Sequence, residues 1–218
     1  MVRAAAERGL THLAITDHDR IDVALEARDA APEELTVIVG EEVRTSEGDL
    51  ICLFLERAIP PGMSAAETIA AARDQGGLVG IPHPFDRLRG SLLHDRNGDT
   101  LAMLGTRVDW VETHNARLVG RGNQLAVEYA GEHGLPGVAV SDAHSVLEVG
   151  VAYTVLEGDP STPAGLLAAL RQVELVPGRA SFLVRAWTPV AKVVQWSRGN
   201  RPVQSPIGPG PTGPRDRS

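Results

Sequence analysis

The stretch HLAITDHD, residues 12–19, decides the fold class, because a short apolar run ends there in three ionisable side chains, Asp17, His18 and Asp19. Such a run is typical of a buried strand, and the polar side chains would lie at its carboxyl end. Three ionisable groups crowded together repel or compete unless a cation organises them. We therefore expect His18 to bind a metal ion, although Asp19 could simply cap a following helix.

The same pattern recurs three times further along the chain. LVGIP precedes His83, VDWVE precedes Thr113 and His114, and VAVS precedes Asp142 and His144. Carboxyl ends of parallel strands lie on one face of an α/β sheet, so residues far apart in sequence converge there. Asp142 and His144, one residue apart on an extended segment, project to the same side. The pattern predicts one cluster of metal-binding side chains.

Strand and helix patterns alternate along the chain, which predicts an α/β fold with a parallel, barrel-like sheet inside a layer of helices. The predicted strands lie near 12–16, 35–39, 50–55, 78–82, 108–112 and 137–141, and the helices near 21–31, 64–76, 123–133 and 162–172. We expect one domain over residues 1–197. Residues 198–218 are dense in Pro and Gly without aromatic residues, which predicts a disordered tail.

Further candidates flank these motifs. Glu41 and Glu42 follow the run LTVIV, and because side chains alternate along a strand, one should point inward and the other to solvent. His83 stands between two prolines that hold its backbone rigid. The sequence leaves open whether His114 or Asn115 joins the site. Guanidinium groups match phosphate oxygens, and the predicted substrate contacts among the nearby arginines are Arg87 and Arg117.

The composition limits the classes of partner. The formal net charge is −7, from 21 Lys and Arg against 28 Asp and Glu, which predicts that a nucleic acid duplex is an unlikely partner. An anionic substrate would then be attracted by bound metal ions. Cys52 is the only cysteine, which favours a cytoplasmic location, and no apolar run approaches the roughly 18 residues of a membrane span.

Taken in order, TDHD at 16–19, Gly40-Glu41-Glu42, His83-Pro84 and SDAH at 141–144 resemble the polymerase and histidinol phosphatase (PHP) superfamily over about residues 1–180. Within that superfamily the chain most resembles the small stand-alone metal-dependent phosphoesterases, including the CehA/McbA-like metallohydrolases. The resemblance implies a distorted (β/α)7 TIM-like barrel with two or three divalent metal ions, Mn, Fe or Zn. The metal ligands that it implies are His18, Glu42, Asp49, His83, Asp142 and His144, with Glu42 as the bridging ligand and Glu42, Asp142 and His144 as catalytic residues.

Relatives open with a strand carrying H-x-H and then an aspartate, and this chain begins after them, so the expected barrel lacks its first strand. Two explanations are open, a truncated reading or a degenerate copy. The leading functional hypothesis is hydrolysis of a small phosphate ester by metal-activated water. The alternatives are a non-catalytic barrel that serves as a binding or regulatory module, and a hydrolase of carbamates or amides. A homo-oligomer could cover the exposed strand edges.

Overall fold

The computed structural model describes residues 1–86 and 99–179. The predicted tail at 198–218 and the predicted substrate contact Arg87 lie outside the described residues. The main sheet has six strands that neighbour one another in sequence order. They are β1 (His12–Ile15), β2 (Thr36–Arg44), β3 (Asp49–Leu53), β4 (Leu78–Ile81), β5 (Trp110–Asn115) and β6 (Gly137–Val140).

The sheet is mixed, which corrects the prediction of an all-parallel sheet. The pairs β1–β2, β4–β5 and β5–β6 are parallel, whereas β3 runs antiparallel to both of its neighbours. The reason is the short turn at residues 45–48, because a parallel crossover needs a dozen residues or more. The α/β class is confirmed, and the sheet curls into a half-barrel. The complete (β/α)7 barrel stays a prediction.

Six helices surround the sheet within the described residues: α1 (Val2–Glu7), α2 (Asp22–Asp29), α3 (Ala65–Arg73), α4 (Asp99–Leu104), α5 (Gly122–His133) and α6 (Pro163–Ala169). The side chain of Ser64 accepts from the Glu67 N–H in a capping box, so α3 begins where the sequence predicts. Gly134 ends α5 with a φ of 64°, which favours glycine. None of the helices in this part of the chain is long and apolar enough to cross a membrane.

A second, antiparallel sheet of two strands, β7 (Tyr153–Leu156) and β8 (Val173–Val176), is absent from the sequence prediction. The Thr154 hydroxyl bonds to both the N–H and the C=O of Ala139, at 2.8 and 2.9 Å, which ties β7 to β6. Each of these strands has only four residues, too short for a clear alternating pattern.

Both faces of the main sheet are covered, as the apolar strand runs predict. One face of β2 packs under α2 and α3, in a cluster that includes Val39, Val43, Leu50, Cys52, Ala24, Ile69 and Ala72. The opposite face packs against α6, in a cluster that includes Ile38, Ile51, Leu53, Trp110, Leu166 and Leu170. Because apolar side chains fill both faces, polar groups gather at the carboxyl ends of the strands.

Candidate metal centre

The segment after β1 brings His18 against Glu42. The Asp19 N–H donates to the Glu42 carbonyl at 3.1 Å, and the Glu42 N–H donates to the Asp17 carbonyl at 3.3 Å. These bonds place His18 beside Glu42 as an isolated parallel bridge. The His18 Nε2 lies 3.6 Å from the Glu42 Oε2. Glu42 lies inside β2 rather than after it, because pairing with β3 extends the strand beyond its predicted end at 39.

Asp49 and His83 complete a group of four side chains around Glu42. One ligand atom each from His18, Glu42 and Asp49 lie within 4.8 Å of one another. The Glu42 Oε1 also lies 3.1 Å from the His83 Nε2. We call His18, Glu42, Asp49 and His83 the Glu42 cluster. Four separate segments of the chain therefore deliver two imidazoles and two carboxylates to one place.

The electrostatics of the Glu42 cluster favour a cation. Asp49 is buried, and its pKa is raised to about 6. The main cause is burial, and the second is the negative charge of Glu42. The imidazoles of His18 and His83 act in the opposite direction. Imidazole nitrogens and carboxylate oxygens are the donors that Zn, Fe and Mn accept in proteins. The residues of the cluster therefore fit a divalent metal ion.

Asp142 and His144 form a second polar group in the segment after β6. The His144 Nδ1 lies 2.9 Å from the Asp142 carbonyl oxygen and 3.4 Å from the Asp142 Oδ1. A carbonyl oxygen only accepts, so Nδ1 carries the proton, and the neutral ring has its lone pair on Nε2. We call these two residues the Asp142–His144 pair. In this tautomer the Nε2 lone pair can bind a metal ion or accept a proton.

Two side chains of β5 connect the pair to the cluster: Asn115, whose part in the site the sequence left open, and Glu112, which the sequence analysis gave no role. The Asn115 Nδ2 donates to the Asp142 Oδ2 at 3.1 Å and to the Glu112 Oε2 at 3.0 Å. The same Glu112 oxygen accepts from the His83 N–H at 2.9 Å. Burial raises the pKa of the Glu112 carboxyl to about 7. The sequence feature that could have identified Glu112 is its place as a carboxylate at the end of the apolar run VDWVE.

Glu148 is a second residue that sequence reasoning missed. Its Oε2 accepts from the His144 N–H and from the Ser145 hydroxyl, both at 3.0 Å, and its Oε1 pairs with the Arg117 guanidinium. Glu148 is buried and the Arg117 side chain is only 11% exposed. This ion pair holds the segment of the Asp142–His144 pair in place. A role for Arg117 in substrate binding stays a prediction.

The structure gives His114 and Asn115 of β5 different partners. His114 is engaged at both ring nitrogens, since its Nε2 donates to the Gly178 carbonyl at 2.8 Å and its Nδ1 lies 3.4 Å from the Asn123 amide nitrogen. Asn115, in contrast, contacts Asp142 directly. These contacts favour a supporting role for His114 and a position beside the candidate site for Asn115.

The burial of Glu41 corrects the expectation that one of the two adjacent glutamates points to solvent. Its side chain is fully buried on the face of β2 covered by α2 and α3, where Oε2 accepts from the Ile59 N–H at 2.8 Å. Oε1 has no hydrogen-bond partner among the described residues. Burial raises the pKa of this carboxyl to about 7. The alternation was predicted correctly, but both faces of the strand are covered.

Strained backbone is concentrated at the strand ends. Among the described residues other than glycine, φ is positive at Asp19 (53°), His83 (25°), Asp142 (48°) and Phe54 (63°). His83 and Asp142 belong to the candidate site and Asp19 directly follows His18, and residues with sparsely populated backbone angles tend to cluster at functional positions. Asp19 is held by the Arg44 N–H at 3.0 Å and by the guanidinium of the same residue.

Comparisons with known proteins follow this geometry. A family model described as PHP-associated matches residues 114–175. Two uncharacterized proteins of Methanocaldococcus jannaschii are similar in sequence: MJ1587 is 37% identical over 117 residues, which are 53% of this chain and 64% of that protein. MJ0417 is 33% identical over 159 residues, which are 69% of this chain and 67% of that protein.

Solved structures share the fold at lower sequence identity. A two-domain protein of Bacteroides vulgatus, described as containing a predicted PHP-like metal-dependent phosphoesterase, matches with a TM-score of 0.65 and 18% identity. The match covers 81% of this chain and 59% of that protein. The chain thus spans less than two thirds of MJ1587 and of the Bacteroides protein.

Another structural neighbour overturns the expectation about nucleic acid. The lesion-specific endonuclease PfuEndoQ of Pyrococcus furiosus matches with a TM-score of 0.56 and 15% identity, over 79% of this chain and 51% of that protein. Endonuclease Q is also known in complex with a 27-mer duplex that has an abasic lesion at the active site. Excluding a nucleic acid partner was therefore wrong. Net charge averages over the whole surface, whereas binding depends on the local potential at the site.

The motifs at the strand ends, the PHP-associated match and the shared fold agree with one another. The order TDHD, G-x-E, HP and SDAH, from which the family was predicted, coincides with the residues that the structure gathers at the end of the sheet. The chain belongs to the polymerase and histidinol phosphatase superfamily.

Proposed function

We propose that this chain contains the metal-binding domain of a metal-dependent hydrolase that cleaves phosphate esters. The observation that carries the proposal is the convergence of ligand atoms of His18, Glu42 and Asp49 within 4.8 Å of one another, with the His83 Nε2 3.1 Å from the Glu42 Oε1. The fold shared with PHP-like metal-dependent phosphoesterases supports it. In this proposal the half-barrel is part of a distorted (β/α)7 barrel.

The Glu42 cluster and the Asp142–His144 pair would together hold two or three divalent cations, Mn, Fe or Zn. Such cations supply Lewis-acid chemistry, which lowers the pKa of water and stabilises the charge that develops on a phosphoester. Glu42 has its two oxygens directed at different imidazoles, His83 and His18, which suits a bridging ligand. The number and identity of the cations belong to the proposal.

The residues of the chain also position and move protons. The Nδ1 proton of His144 is held by the Asp142 carbonyl, so Nε2 is directed away from it, able to bind a cation or to receive a proton. The Glu148 carboxylate fixes the His144 backbone through its N–H. In the proposal Arg87 and Arg117 hold the phosphate oxygens that do not react, with Arg87 outside the described residues.

The substrate class has two candidates. A small phosphate ester is the leading one, as in the phosphoesterases that share the fold. A phosphodiester of damaged DNA is the second, and the likeness to Endonuclease Q favours it. Carbamate or amide hydrolysis and a purely regulatory, non-catalytic role stay as alternatives.

The test uses the 218-residue chain, purified and then loaded with Mn²⁺, Fe²⁺ or Zn²⁺. Bound metal is counted by mass spectrometry, and hydrolysis is measured on a phosphomonoester, a phosphodiester, an abasic DNA duplex and a carbamate ester. We compare E42Q with E34Q, because Glu34 is exposed and lies in the loop before β2. E42Q should lose more than about 100-fold in metal affinity, beyond the loss typical of outer-shell partners, and its activity with it.

Two outcomes would contradict the proposal. If the wild-type chain takes up no metal under any of these conditions, the non-catalytic alternative replaces it. If E42Q hydrolyses a phosphate ester as fast as E34Q does, the Glu42 cluster is not the reacting centre.

A further inference from the structure

We propose that Glu112 and Asn115 are positioning residues that lock His83 to Asp142, and that they thereby couple cation binding at the Glu42 cluster to cation binding at the Asp142–His144 pair. The inference rests on the proposed function in one respect, that both groups bind cations. It concerns how the two groups act on each other, which the ligand set alone does not specify.

The first step is the position of β5 between its neighbours. β5 pairs with β4 on one side and β6 on the other. Its two side chains reach the residues that follow those strands, since Glu112 accepts from the His83 N–H and Asn115 donates to the Asp142 carboxylate. Because Asn115 also donates to Glu112, the four residues form one continuous chain of hydrogen bonds.

The second step is that the orientation of the Asn115 amide is fixed. Its Oδ1 accepts from the Arg117 N–H at 2.9 Å, so the Nδ2 must face the two carboxylates. Asn115 and Glu112 are both buried. A buried amide group between two carboxylates gives each of them a donor and separates their charges. Neither carboxylate can shift without breaking its bond to the buried Asn115 amide, and an unmade hydrogen bond at a buried group is costly.

The third step is the backbone at the two ends of the chain of bonds. His83 and Asp142 have φ values of 25° and 48°, which residues other than glycine rarely adopt. Such angles persist only where surrounding contacts hold them. The bonds from β5 are such contacts, so the placement of His83 and of Asp142 is determined together.

A shared support makes the two groups energetically dependent on each other. A cation that fixes the Asp142–His144 pair would also fix His83 through Asn115 and Glu112, and the reverse holds by linkage. Mn²⁺ should therefore bind more tightly at the Glu42 cluster when the pair is intact. Removal of the bridge should weaken the binding and abolish the dependence.

The experiment is a double-mutant cycle on the full chain, with Mn²⁺ binding measured by calorimetry. H144A should weaken Mn²⁺ binding at the remaining cluster by about tenfold in the wild-type background, a loss typical of outer-shell partners. N115A alone should have an effect of the same size. In the N115A background, H144A should add less than about twofold, because the coupling has been removed.

Controls separate positioning from general loss of stability. T154V removes two hydrogen bonds between β7 and β6 but lies outside the bridge, so it should lower the unfolding temperature and leave the Mn²⁺ affinity unchanged. E112Q keeps an acceptor for the His83 N–H, and it should bind Mn²⁺ within about threefold of wild type, whereas E112A should lose about tenfold. If N115A does not fold, the positioning role is tested by the difference in Mn²⁺ affinity between E112Q and E112A.

The outcomes distinguish the two proposals. If the wild-type chain binds no Mn²⁺, Fe²⁺ or Zn²⁺, the proposed function is wrong, and this inference with it. If wild type binds Mn²⁺ while N115A and E112A bind it equally well, or if H144A and N115A have additive effects, only the positioning role is overturned.

Discussion

The Glu42 cluster gathers residues in or after β1 to β4 and the Asp142–His144 pair follows β6, on the other side of β5, and the two groups are held in different ways. In the cluster the ionisable side chains contact one another, as in the approach of His18 and His83 to Glu42. In the pair, each residue is held by a side chain from outside, Asn115 for Asp142 and Glu148 for His144. Apart from the Glu112 bond to the His83 N–H, the cluster therefore relies on contacts among its own ionisable side chains, whereas the pair is pre-organised by neighbouring side chains.

The largest expected effect is on the pre-organised side. E148A should lower the free energy of unfolding by about 3–5 kcal/mol, because the Arg117 guanidinium is left buried without its carboxylate. Urea unfolding measures the loss. E148Q keeps an acceptor for the His144 N–H and should lose less than E148A. A loss below about 1 kcal/mol in E148A would show that the ion pair does not hold the segment.

The next effect concerns the cluster, whose stability should depend on cations. Mn²⁺ at about 100 times its dissociation constant should raise the free energy of unfolding by about 2.7 kcal/mol in the wild-type chain. E42Q should gain almost nothing from the same Mn²⁺ concentration and should unfold no more easily than wild type without it. Calorimetric melting with and without Mn²⁺ gives both values. Equal gains in E42Q and wild type would place the bound cation elsewhere.

The pH dependence of stability allows a comparison of two buried carboxyl groups on opposite faces of the main sheet, Asp49 of β3 and Glu41 of β2. The pKa of Asp49 is raised to about 6 and that of Glu41 to about 7, so the folded chain binds protons more tightly there than the unfolded chain does. Stability without metal should therefore fall as the pH rises from about 4 to 7. D49N and E41Q should each remove part of this fall, on the order of 1–2 kcal/mol.

Mn²⁺ should separate the contributions of the two carboxyl groups. It should cancel the Asp49 part of the pH dependence, because Asp49 lies in the Glu42 cluster, and leave the Glu41 part, which belongs to the covered face. If Mn²⁺ erases the Glu41 part equally, Glu41 is not isolated from the site.

The smallest effect is expected at His114. H114A should change Mn²⁺ affinity by less than about twofold, because both ring nitrogens of His114 serve the scaffold, and it should cost about 1 kcal/mol of stability. H144A is the matched substitution on the neighbouring segment. A loss of Mn²⁺ affinity in H114A equal to that in H144A would show that His114 takes part in binding the cation.

The convergence at the strand ends was predictable from sequence because it follows from two simple facts. A parallel strand ends at a known edge of the sheet, and an apolar run followed by a polar cluster marks that edge. His18, His83 and His144 were found in this way. Glu42 was found by its place in the family motif, although the prediction placed it after the strand rather than in it.

The supporting residues could not be predicted because their role depends on packing between distant segments. Glu148 stands between Leu147 and Val149 with no strand or helix pattern around it, and its partner Arg117 lies 31 positions earlier in the chain. The reversal of β3 was missed because the connection length was not weighed against the demands of a parallel crossover. β7 and β8 were missed because strands this short carry little alternation.

The left-handed backbone at Asp19, His83 and Asp142 sets a limit on engineering this chain. A library selected for heat resistance alone would enrich glycine or asparagine at these positions, since both adopt such angles at lower cost. The enriched variants would unfold at a higher temperature, but they would lack the imidazole of His83 and the carboxylates of Asp19 and Asp142. Alternating rounds, one for heat resistance and one for capture of Mn²⁺, would preserve them.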